Sequence, residues 1–183
     1  EQNEMLGDLR EEVEQMSTLV DELLCFTRTG ETKDIEMQPV DLAPLIEATL
    51  RREAPDLAPD VKLPADLNAL AAPDRLERAL GNIFRNAQQH AAAGKKIQVR
   101  AEASAESVEL QITDFGPGVP EDCLDQLFDP FFRPEDARTR ETGGAGLGLA
   151  IAKSAIEACG GTLQCRLHEG GGLQFVIGLN SRK

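Results

Sequence analysis

Residues 82–90 read Asn82-Ile83-Phe84-Arg85-Asn86-Ala87-Gln88-Gln89-His90, and this stretch decides the fold because its spacing is that of a helix with a polar, functional face. Asn82 and Asn86 are four residues apart, so both carboxamides project from one side of the helix, and the same side reaches His90. An amide oxygen is a hard, neutral ligand that Mg²⁺ accepts beside waters and phosphates. Alone, such a pair is more typical of a helix surface or cap.

A second segment, Asp114-Phe115-Gly116-Pro117-Gly118, places a carboxylate at the end of an apolar strand. A carboxylate in that position can accept the exocyclic amine of adenine. The glycines that follow let bare backbone approach a flat base. The same residues also fit a tight turn with a capping aspartate.

The third and fourth segments are Leu127-Phe128-Asp129-Pro130-Phe131-Phe132-Arg133 and Gly144-Ala145-Gly146-Leu147-Gly148-Leu149. The glycine-rich one opens a predicted helix, where backbone N–H groups and the helix dipole bind phosphate. It is not a P-loop, since no Gly-Lys-Ser/Thr follows. Between the two, residues 130–143 predict a flexible lid whose arginines can close on a terminal phosphate: Arg133, Arg138 and Arg140. Together the four segments predict a site for Mg²⁺ and a nucleotide.

The remaining periodicities predict an α+β fold. Period-2 alternation indicates two hairpins, 97–101 with 108–112 and 162–167 with 173–179. These elements form a two-layer α/β sandwich, in which a mixed, largely antiparallel sheet packs against three helices. The other predicted elements are helices over 42–53 (capped by Asp41), 74–92 and 147–159, short strands over 35–40, 61–63 and 67–71, mostly loop over 115–146, and breaks at Pro55, Pro59 and Pro64.

A long heptad helix is expected before this domain. Its seam recurs at alternating spacings of three and four residues and is apolar except at its last position, Thr27; the members are Leu6, Leu9, Val13, Met16, Val20, Leu23 and Thr27. Such a seam favours partner helices in a coiled coil or bundle over packing on the chain's own domain. We therefore divide the chain into a helical part over 1–30 and a second domain over 31–183.

The charge balance argues against several function classes. The 183 residues carry 19 Lys and Arg against 32 Asp and Glu, for a net charge of −13. Nucleic-acid binding needs clustered cations, and no such cluster occurs in the sequence. The sequence also contains no basic helix of the kind that binds membrane surfaces and no apolar run of about 20 residues, the length needed to span a bilayer. Metal-ligand spacing is absent from the four cysteines, which we interpret as reduced thiols: Cys25, Cys123, Cys159 and Cys165.

In this order and rough spacing, the four segments resemble the N, G1, F and G2 boxes of bacterial two-component sensor histidine kinases. The resemblance covers nearly the whole chain. Residues 1–28 are similar to the second helix of the dimerisation and phosphoacceptor hairpin, and residues 35–183 to the catalytic ATP-binding domain of the GHKL, or Bergerat, type. It implies ATP and Mg²⁺ as cofactors.

The resemblance also implies roles for the site residues. Asn86 would hold Mg²⁺, Asn82 would support the phosphates, Asp114 would bind the adenine amine, and His90 would flank the base. The other residues are expected to shape the phosphate loop (Gly144, Gly146 and Gly148, with Leu147 and Leu149), the turn beside the base (Gly116 and Gly118), the phosphate side of the helix (Gln89), and the lid with its hinge (Phe128, Phe131, Phe132, Arg133 and Arg140).

The implied activity is that of a protein histidine kinase. The γ-phosphoryl of ATP would pass to a histidine on a helix outside this chain, and then to an aspartate of a response regulator. The resemblance further implies a parent homodimer joined through the helical hairpin, with no nucleic-acid partner. It implies a cytoplasmic domain, in a parent that can be an inner-membrane sensor.

Three departures from the family pattern affect these expectations. His90 and His168, the histidines of the chain, both lack the His-acid-x-x-x-Pro setting of a phosphoacceptor, so the chain alone is not expected to autophosphorylate. Gln89 stands where many members have Lys or Arg near the phosphates. Leu173 stands where many have Thr or Ser, which bears on a water-mediated adenine contact.

Other functions stay open from the sequence. A gyrase-like or Hsp90-like ATPase would place a glutamate base one turn before the metal-binding asparagine, and that position is Asn82 here. A non-catalytic module would bind ATP, or nothing, and act through its heptad helix, although the intact glycine segments disfavour this. An anti-sigma-type serine kinase would lack the leading heptad helix.

Overall fold

The computed structural model describes residues 35–90, 95–134 and 145–181. Within these ranges it contains three α-helices: α1 (Leu42–Glu53), α2 (Pro73–His90) and α3 (Gly148–Ala158). The strands are β1 (Gln38–Asp41), β2 (Ala58–Lys62), β3 (Asn68–Ala71), β4 (Lys96–Ala103), β5 (Ser107–Asp114), β6 (Thr162–Leu167) and β7 (Leu173–Asn180). Two short 3₁₀ turns, Glu121–Cys123 and Asp125–Phe128, lie between β5 and α3.

Five of the strands form one sheet in the order β2-β4-β5-β7-β6. β2 and β4 run parallel, and the other neighbours are antiparallel. The prediction of a mixed, largely antiparallel sheet is therefore confirmed. β1 and β3 form a separate antiparallel pair, which the sequence patterns did not distinguish from the main sheet.

One face of the main sheet carries the core. The buried side chains of its three central strands alternate along each strand and pack in one cluster with the inner faces of the helices. Each fully buried aliphatic side chain of this kind contributes about 1.5–3 kcal/mol. They are Ile97 and Val99 in β4, Val108, Leu110 and Ile112 in β5, and Phe175, Ile177 and Leu179 in β7. The side chains between them are mostly polar and face the other side, so the two-layer architecture is confirmed.

Helix α2 lies at the centre of the helical layer, packed against α1 and α3. Its apolar residues recur at helical spacing and are fully buried, among them Leu76, Leu80 and Ile83. Pro73 begins the helix, where its missing N–H leaves no unpaired donor, and Asp74 favours the positive end of the helix dipole. This packing turns the polar side of α2 toward the first turn of α3.

Two predicted features need correction, the break at Pro59 and the start of the third helix. β2 begins at Ala58 and contains Pro59, which was expected to break the chain. Proline is tolerated there because β2 is an edge strand, with no ladder partner on one side. Helix α3 begins at Gly148 rather than Leu147, which is its N-cap. The segment expected to be mostly loop over 115–146 contains, among its described residues, only the two short 3₁₀ turns.

Some predictions lie outside the described residues. These are the heptad helix and the domain division at residue 30, together with the expected extension of the second helix beyond His90. Within the described ranges, no helix has the length and apolar character needed to cross a membrane.

The cap of α1 allows a first prediction. Asp41 ends β1, and its Oδ1 accepts a hydrogen bond from the Ala43 N–H at 3.3 Å. Asp41→Ala removes this acceptor and should lower the free energy of unfolding by about 0.5–1 kcal/mol, the lower part of the range for lost caps, because the bond is long. Urea unfolding measures this, with Asp41→Asn as the variant that keeps a capping oxygen. Matching unfolding midpoints for Asp41→Ala and the parent would show that the cap contributes nothing.

Candidate functional site

The carboxyl group of Asp114 occupies the end of β5 on the core face of the sheet. The side chain is 2% exposed. Its Oδ1 accepts two backbone hydrogen bonds, from the Gly116 N–H at 2.9 Å and from the Leu173 N–H at 3.1 Å. Gly116 lies two residues after Asp114, and Leu173 is the first residue of the neighbouring strand β7. Together the two donors orient the carboxyl group.

The second oxygen of Asp114 has a different environment. Oδ2 is buried and has no hydrogen-bond partner among the described residues. Burial raises the pKa of Asp114 above its usual value, although the two N–H donors and the nearby His90 and His168 act in the opposite direction. A buried acceptor without a partner is costly, and a neutral N–H donor from a ligand would satisfy it.

Two glycines let the backbone close tightly around this carboxyl group. A Cβ at Gly116 would lie 2.4 Å from the carbonyl oxygen of His90, so glycine there allows the end of β5 to meet the end of α2. Gly172 has φ of +84°, and a Cβ on it would lie 2.2 Å from the Asp114 carbonyl oxygen and 2.6 Å from Oδ1. The predicted site residues Asp114, Gly116 and His90 are thus brought together.

The turn between β6 and β7 adds residues that the sequence did not assign to the site. His168 packs edge-to-face against Phe115, with ring centroids 5.4 Å apart, and its Nδ1 accepts from the Gly170 N–H at 3.1 Å. Gly172 and the Leu173 N–H complete the wall behind Asp114. The available signal was the run of three glycines, which is more than a short hairpin turn needs.

Asn82 lies two turns before His90 and is buried. Its Nδ2 donates to the Arg78 carbonyl at 2.9 Å, and its Oδ1 accepts from Arg85 Nη2 at 3.0 Å. A Cβ at Gly148 would lie 3.1 Å from the same Oδ1, so the glycine allows α3 to begin directly beside this amide. Asn82 therefore presents an oxygen, rather than its N–H₂ group, to the first turn of α3.

Asn86 follows one turn later on the same side of α2 and is half-buried, as is His90, whereas Gln89 is exposed. Eight residues separate His90 from Asn82, which corresponds to about 12 Å along the helix axis. The polar side of α2 therefore runs from the Asp114 carboxyl at one end to the start of α3 at the other.

The phenylalanine-rich segment meets the glycine-rich segment through its backbone. The Phe131 N–H donates to the Gly146 carbonyl at 3.0 Å, and both residues have positive φ, +66° and +75°. A Cβ at Gly146 would lie 2.8 Å from the Phe132 carbonyl oxygen, so only glycine allows this approach. The Phe131 side chain is 61% exposed, and Lys153 Nζ lies 5.3 Å from the centre of the Phe128 ring.

Some of the other predicted site residues lie in the described part of the chain, and others lie outside it. Leu147 is buried, Gly118 has φ of +71°, and Leu149 and Arg133 are half-buried. Arg140 and Gly144 lie outside the described residues. In the described part of the chain, no group of three His, Cys, Asp or Glu side chains is placed to hold a metal ion.

Comparison with known families gives one match over most of the chain. Residues 71–183 match the family described as histidine kinase-, DNA gyrase B-, and HSP90-like ATPase. This range contains the segments that line the site, from the start of α2 to the end of β7.

Individual relatives agree with that match. The chain is 31% identical over 182 residues to the signal transduction histidine-protein kinase BaeS of Escherichia coli K12, covering 96% of this chain and 39% of that protein. Among solved structures, the mycobacterial sensor histidine kinase MprB is 30% identical, with a TM-score of 0.69, covering 80% of this chain and 99% of that one. Full-length ShkA in complex with AMPPNP is 27% identical, with a TM-score of 0.82, covering 100% of this chain and 39% of that one. The chain thus spans well under half the length of BaeS and of ShkA.

Proposed function

The chain belongs to the histidine kinase-, DNA gyrase B- and HSP90-like ATPase family, and on that premise we propose that it is the ATP-binding catalytic part of a sensor histidine kinase. The observation that carries the proposal is the buried Oδ2 of Asp114, which has no hydrogen-bond partner among the described residues and lies where Gly116 and Gly172 let the backbone approach closely. Adenine offers the neutral N–H donor that this oxygen lacks, through its exocyclic amine. The complex of the related ShkA with AMPPNP supports the same ligand class.

The phosphates would lie at the other end of the polar side of α2. The first turn of α3 has no side-chain cap on its N–H groups, which leaves these donors for a phosphate. Gly148 removes the side chain that would separate the Asn82 oxygen from this turn. A nucleotide placed with its base at Asp114 would therefore extend along α2 toward α3.

Asn86 is the proposed Mg²⁺ ligand, one turn from Asn82 on the same side of the helix. Its neutral oxygen adds no negative charge beside a triphosphate, and Mg²⁺ is commonly bound through few protein ligands plus phosphates and waters. When bound, the ion would supply neutralisation of the charge on the β- and γ-phosphate oxygens. The Asn82 oxygen, held by Arg85, would face the same hydration shell.

The proposed reaction transfers the γ-phosphoryl group of ATP to the imidazole nitrogen of a histidine. The bond between the γ-phosphorus and the β,γ-bridging oxygen breaks, a phosphorus–nitrogen bond forms, and ADP leaves. Neither histidine of this chain lies in a His-acid-x-x-x-Pro setting, so the acceptor would come from a separate helix. The chain's own residues would bind, orient and neutralise, which is how proteins mainly accelerate phosphoryl transfer.

The remaining features of the parent protein follow from the same proposal. Residues 1–30 would contribute one helix of the dimerisation hairpin and residues 31–183 the ATP-binding domain. The parent would act as a homodimer and pass its phosphoryl group to an aspartate of a response regulator. The domain would work in the cytoplasm, where ATP is available, and the proposal assigns it no nucleic-acid partner.

A phosphotransfer assay tests the proposal and gives a second prediction. The chain is mixed with labelled ATP, Mg²⁺ and a separately supplied helical hairpin that carries a His-acid-x-x-x-Pro acceptor. Label should appear on the hairpin and be acid-labile, as expected for phosphohistidine. Asn86→Ala should slow this transfer by at least about tenfold, since even weakened support of a bound metal has effects of that size.

The matched control is Gln88→Ala on the same helix. Gln88 also carries a carboxamide, but its Nε2 donates to Asp56 Oδ2 at 2.8 Å, so it is held by the segment after α1. This variant should transfer label at the parent rate. Steady release of inorganic phosphate without labelling of the hairpin would favour a gyrase-like or Hsp90-like ATPase instead. Acid-stable label on the chain itself would favour a serine or threonine kinase.

A further inference from the structure

Arg85 links the candidate phosphate end of the site to helix α1. Its Nη2 donates to Asn82 Oδ1 at 3.0 Å, and its Nη1 pairs with Glu53 Oε2 at 2.5 Å. Asn82 and Arg85 are three residues apart on α2, so their side chains are neighbours on the helix surface. A guanidinium group is therefore held directly beside an amide that contacts the start of α3.

The position of Arg85 matters because of charge. A triphosphate brings several negative charges into a chain whose net charge is already −13. Gln89, one turn along α2, is neutral, so Arg85 is the cation that this stretch of α2 places next to Asn82. Guanidinium groups bind phosphate with paired, charge-assisted hydrogen bonds.

Glu53, the partner of Arg85, can lose this arginine without becoming an unpaired charge. Glu53 is held by two arginines, because Arg52 Nε also donates to its Oε1 at 2.8 Å. Although burial acts to raise the pKa of Glu53, hydrogen bonds from Arg52 and Arg85 hold it below its usual value, so the carboxylate is ionised. If Arg85 turns away, Glu53 keeps Arg52 and is not left as a buried, unpaired charge.

The geometry of α2 indicates which phosphate is concerned. The base end of the site lies at Asp114, where Gly116 meets the carbonyl of His90. Arg85 and Asn82 lie five and eight residues before His90, or about 8 and 12 Å along the axis. Moving away from the base, these residues come last, next to the first turn of α3.

We propose that Arg85 is a phosphate-binding residue that exchanges Glu53 for the terminal phosphate of a bound nucleoside triphosphate. In this role it distinguishes triphosphate from diphosphate, since the diphosphate lacks the group for which Arg85 leaves Glu53. The inference rests on the proposed function, because it uses the same nucleotide site. It adds Arg85, which was not among the predicted site residues, to the site. It also explains why Arg85 is paired with Glu53.

Calorimetric titration with Mg·ADP and Mg·AMPPNP tests the proposal. Arg85→Ala should weaken AMPPNP binding by about tenfold or more and ADP binding by less than about twofold, as expected for loss of a charge-assisted contact to one phosphate. Arg85→Lys should recover part of the AMPPNP affinity, because it keeps the charge without the paired donors. Glu53→Gln should keep or increase the preference for AMPPNP, because it weakens the competing partner of Arg85.

The matched control is Arg52→Ala, which removes the other arginine on Glu53 while leaving Asn82 untouched. Arg52 also pairs with Glu77 Oε1 at 2.7 Å, so its contacts lie between α1 and α2, away from Asn82. Because Arg52 is the partner that Glu53 keeps when Arg85 turns away, this variant should bind ADP like the parent and should lose less AMPPNP affinity than Arg85→Ala. Equal losses for ADP and AMPPNP in Arg85→Ala, or no loss for either, would overturn the inference and leave the proposed function standing. A parent chain that binds neither nucleotide would overturn both.

Discussion

Asp114→Asn should weaken Mg·ADP binding by roughly 10- to 150-fold and raise the stability of the nucleotide-free domain. Oδ1 faces the N–H groups of Gly116 and Leu173, so an asparagine must place its oxygen there. Its N–H₂ group then replaces Oδ2 and, in the proposed binding mode, would place a hydrogen-bond donor against the adenine amine, which is also a donor. The expected loss corresponds to about 1.5–3 kcal/mol, the range for a hydrogen bond to a charged group.

The gain in stability follows from the sign of the pKa shift. Burial raises the pKa of Asp114 in the folded state, so ionisation of this group disfavours folding. The penalty is fully present above the raised folded-state pKa and disappears as the pH falls below the unfolded value of about 3.9. Asparagine carries no such charge. Its advantage over the parent should therefore be present at neutral pH and vanish in acid.

Calorimetry for binding and thermal unfolding at several pH values measure the two effects separately. Asp122→Asn, at an exposed position in the first 3₁₀ turn, serves as the control that removes one negative charge without touching the site. In the parent, nucleotide affinity should fall on acidification, because a protonated Asp114 no longer offers a free charged acceptor. An Asp114→Asn variant that binds ADP as tightly as the parent would refute the adenine assignment.

Gly172→Ala should abolish measurable nucleotide binding and lower the melting temperature by about 5 °C or more. The residue has φ of +84°, where a non-glycine side chain costs about 1–2 kcal/mol. The new Cβ would also lie 2.2 Å from the Asp114 carbonyl oxygen, closer than real Cβ contacts occur. For a domain of this size each kcal/mol lowers the melting temperature by about 2–4 °C. Because the clash involves Asp114, the carboxyl group is expected to leave its binding position.

The neighbouring glycine provides a matched control for this prediction. Gly171 has φ of +89°, but a Cβ there would come no closer than 3.8 Å to the carbonyl oxygen of Gly116. Gly171→Ala should therefore show the backbone penalty alone and keep most of the ADP affinity. Thermal unfolding and ADP titration of both variants separate the two effects. Equal losses in the two would mean that the contact with Asp114 is unimportant.

The sequence was sufficient for the parts of the molecule that depend on local patterns. Apolar and polar residues alternate in β4, β5 and β7, and apolar residues recur at helical spacing in α2. These patterns predicted the two layers, because the period of the apolar residues shows which face of each element is buried. Asp114 and Gly116 were predicted as a pair because a strand end followed by glycines is a local signal. That His90 lies beside them was implied by the family resemblance and not by a local pattern; in the structure, a Cβ at Gly116 would lie 2.4 Å from the His90 carbonyl oxygen.

Other parts depend on contacts between distant residues, which local patterns do not determine. The second donor to Asp114 is the N–H of Leu173, 59 residues later, and it is placed by the pairing of β5 with β7. Residue 173 is Leu where many family members have Thr or Ser, but this difference does not affect the bond, because the backbone N–H is the donor. Similarly, the orientation of the Asn82 amide is set by Arg78 and Arg85, so its oxygen rather than its nitrogen faces α3.

The hydrogen bond between Phe131 and Gly146 has a consequence for how this protein can vary in length. It joins the two ends of the intervening stretch at 3.0 Å, so the stretch begins and ends at one place on the domain. For a chain segment with fixed, adjacent ends, doubling the number of residues adds only about 0.6 kcal/mol of closure entropy. Insertions between these two residues, including an added reporter domain, should leave the sheet and α3 folded. This stretch is therefore a suitable position for engineered insertions.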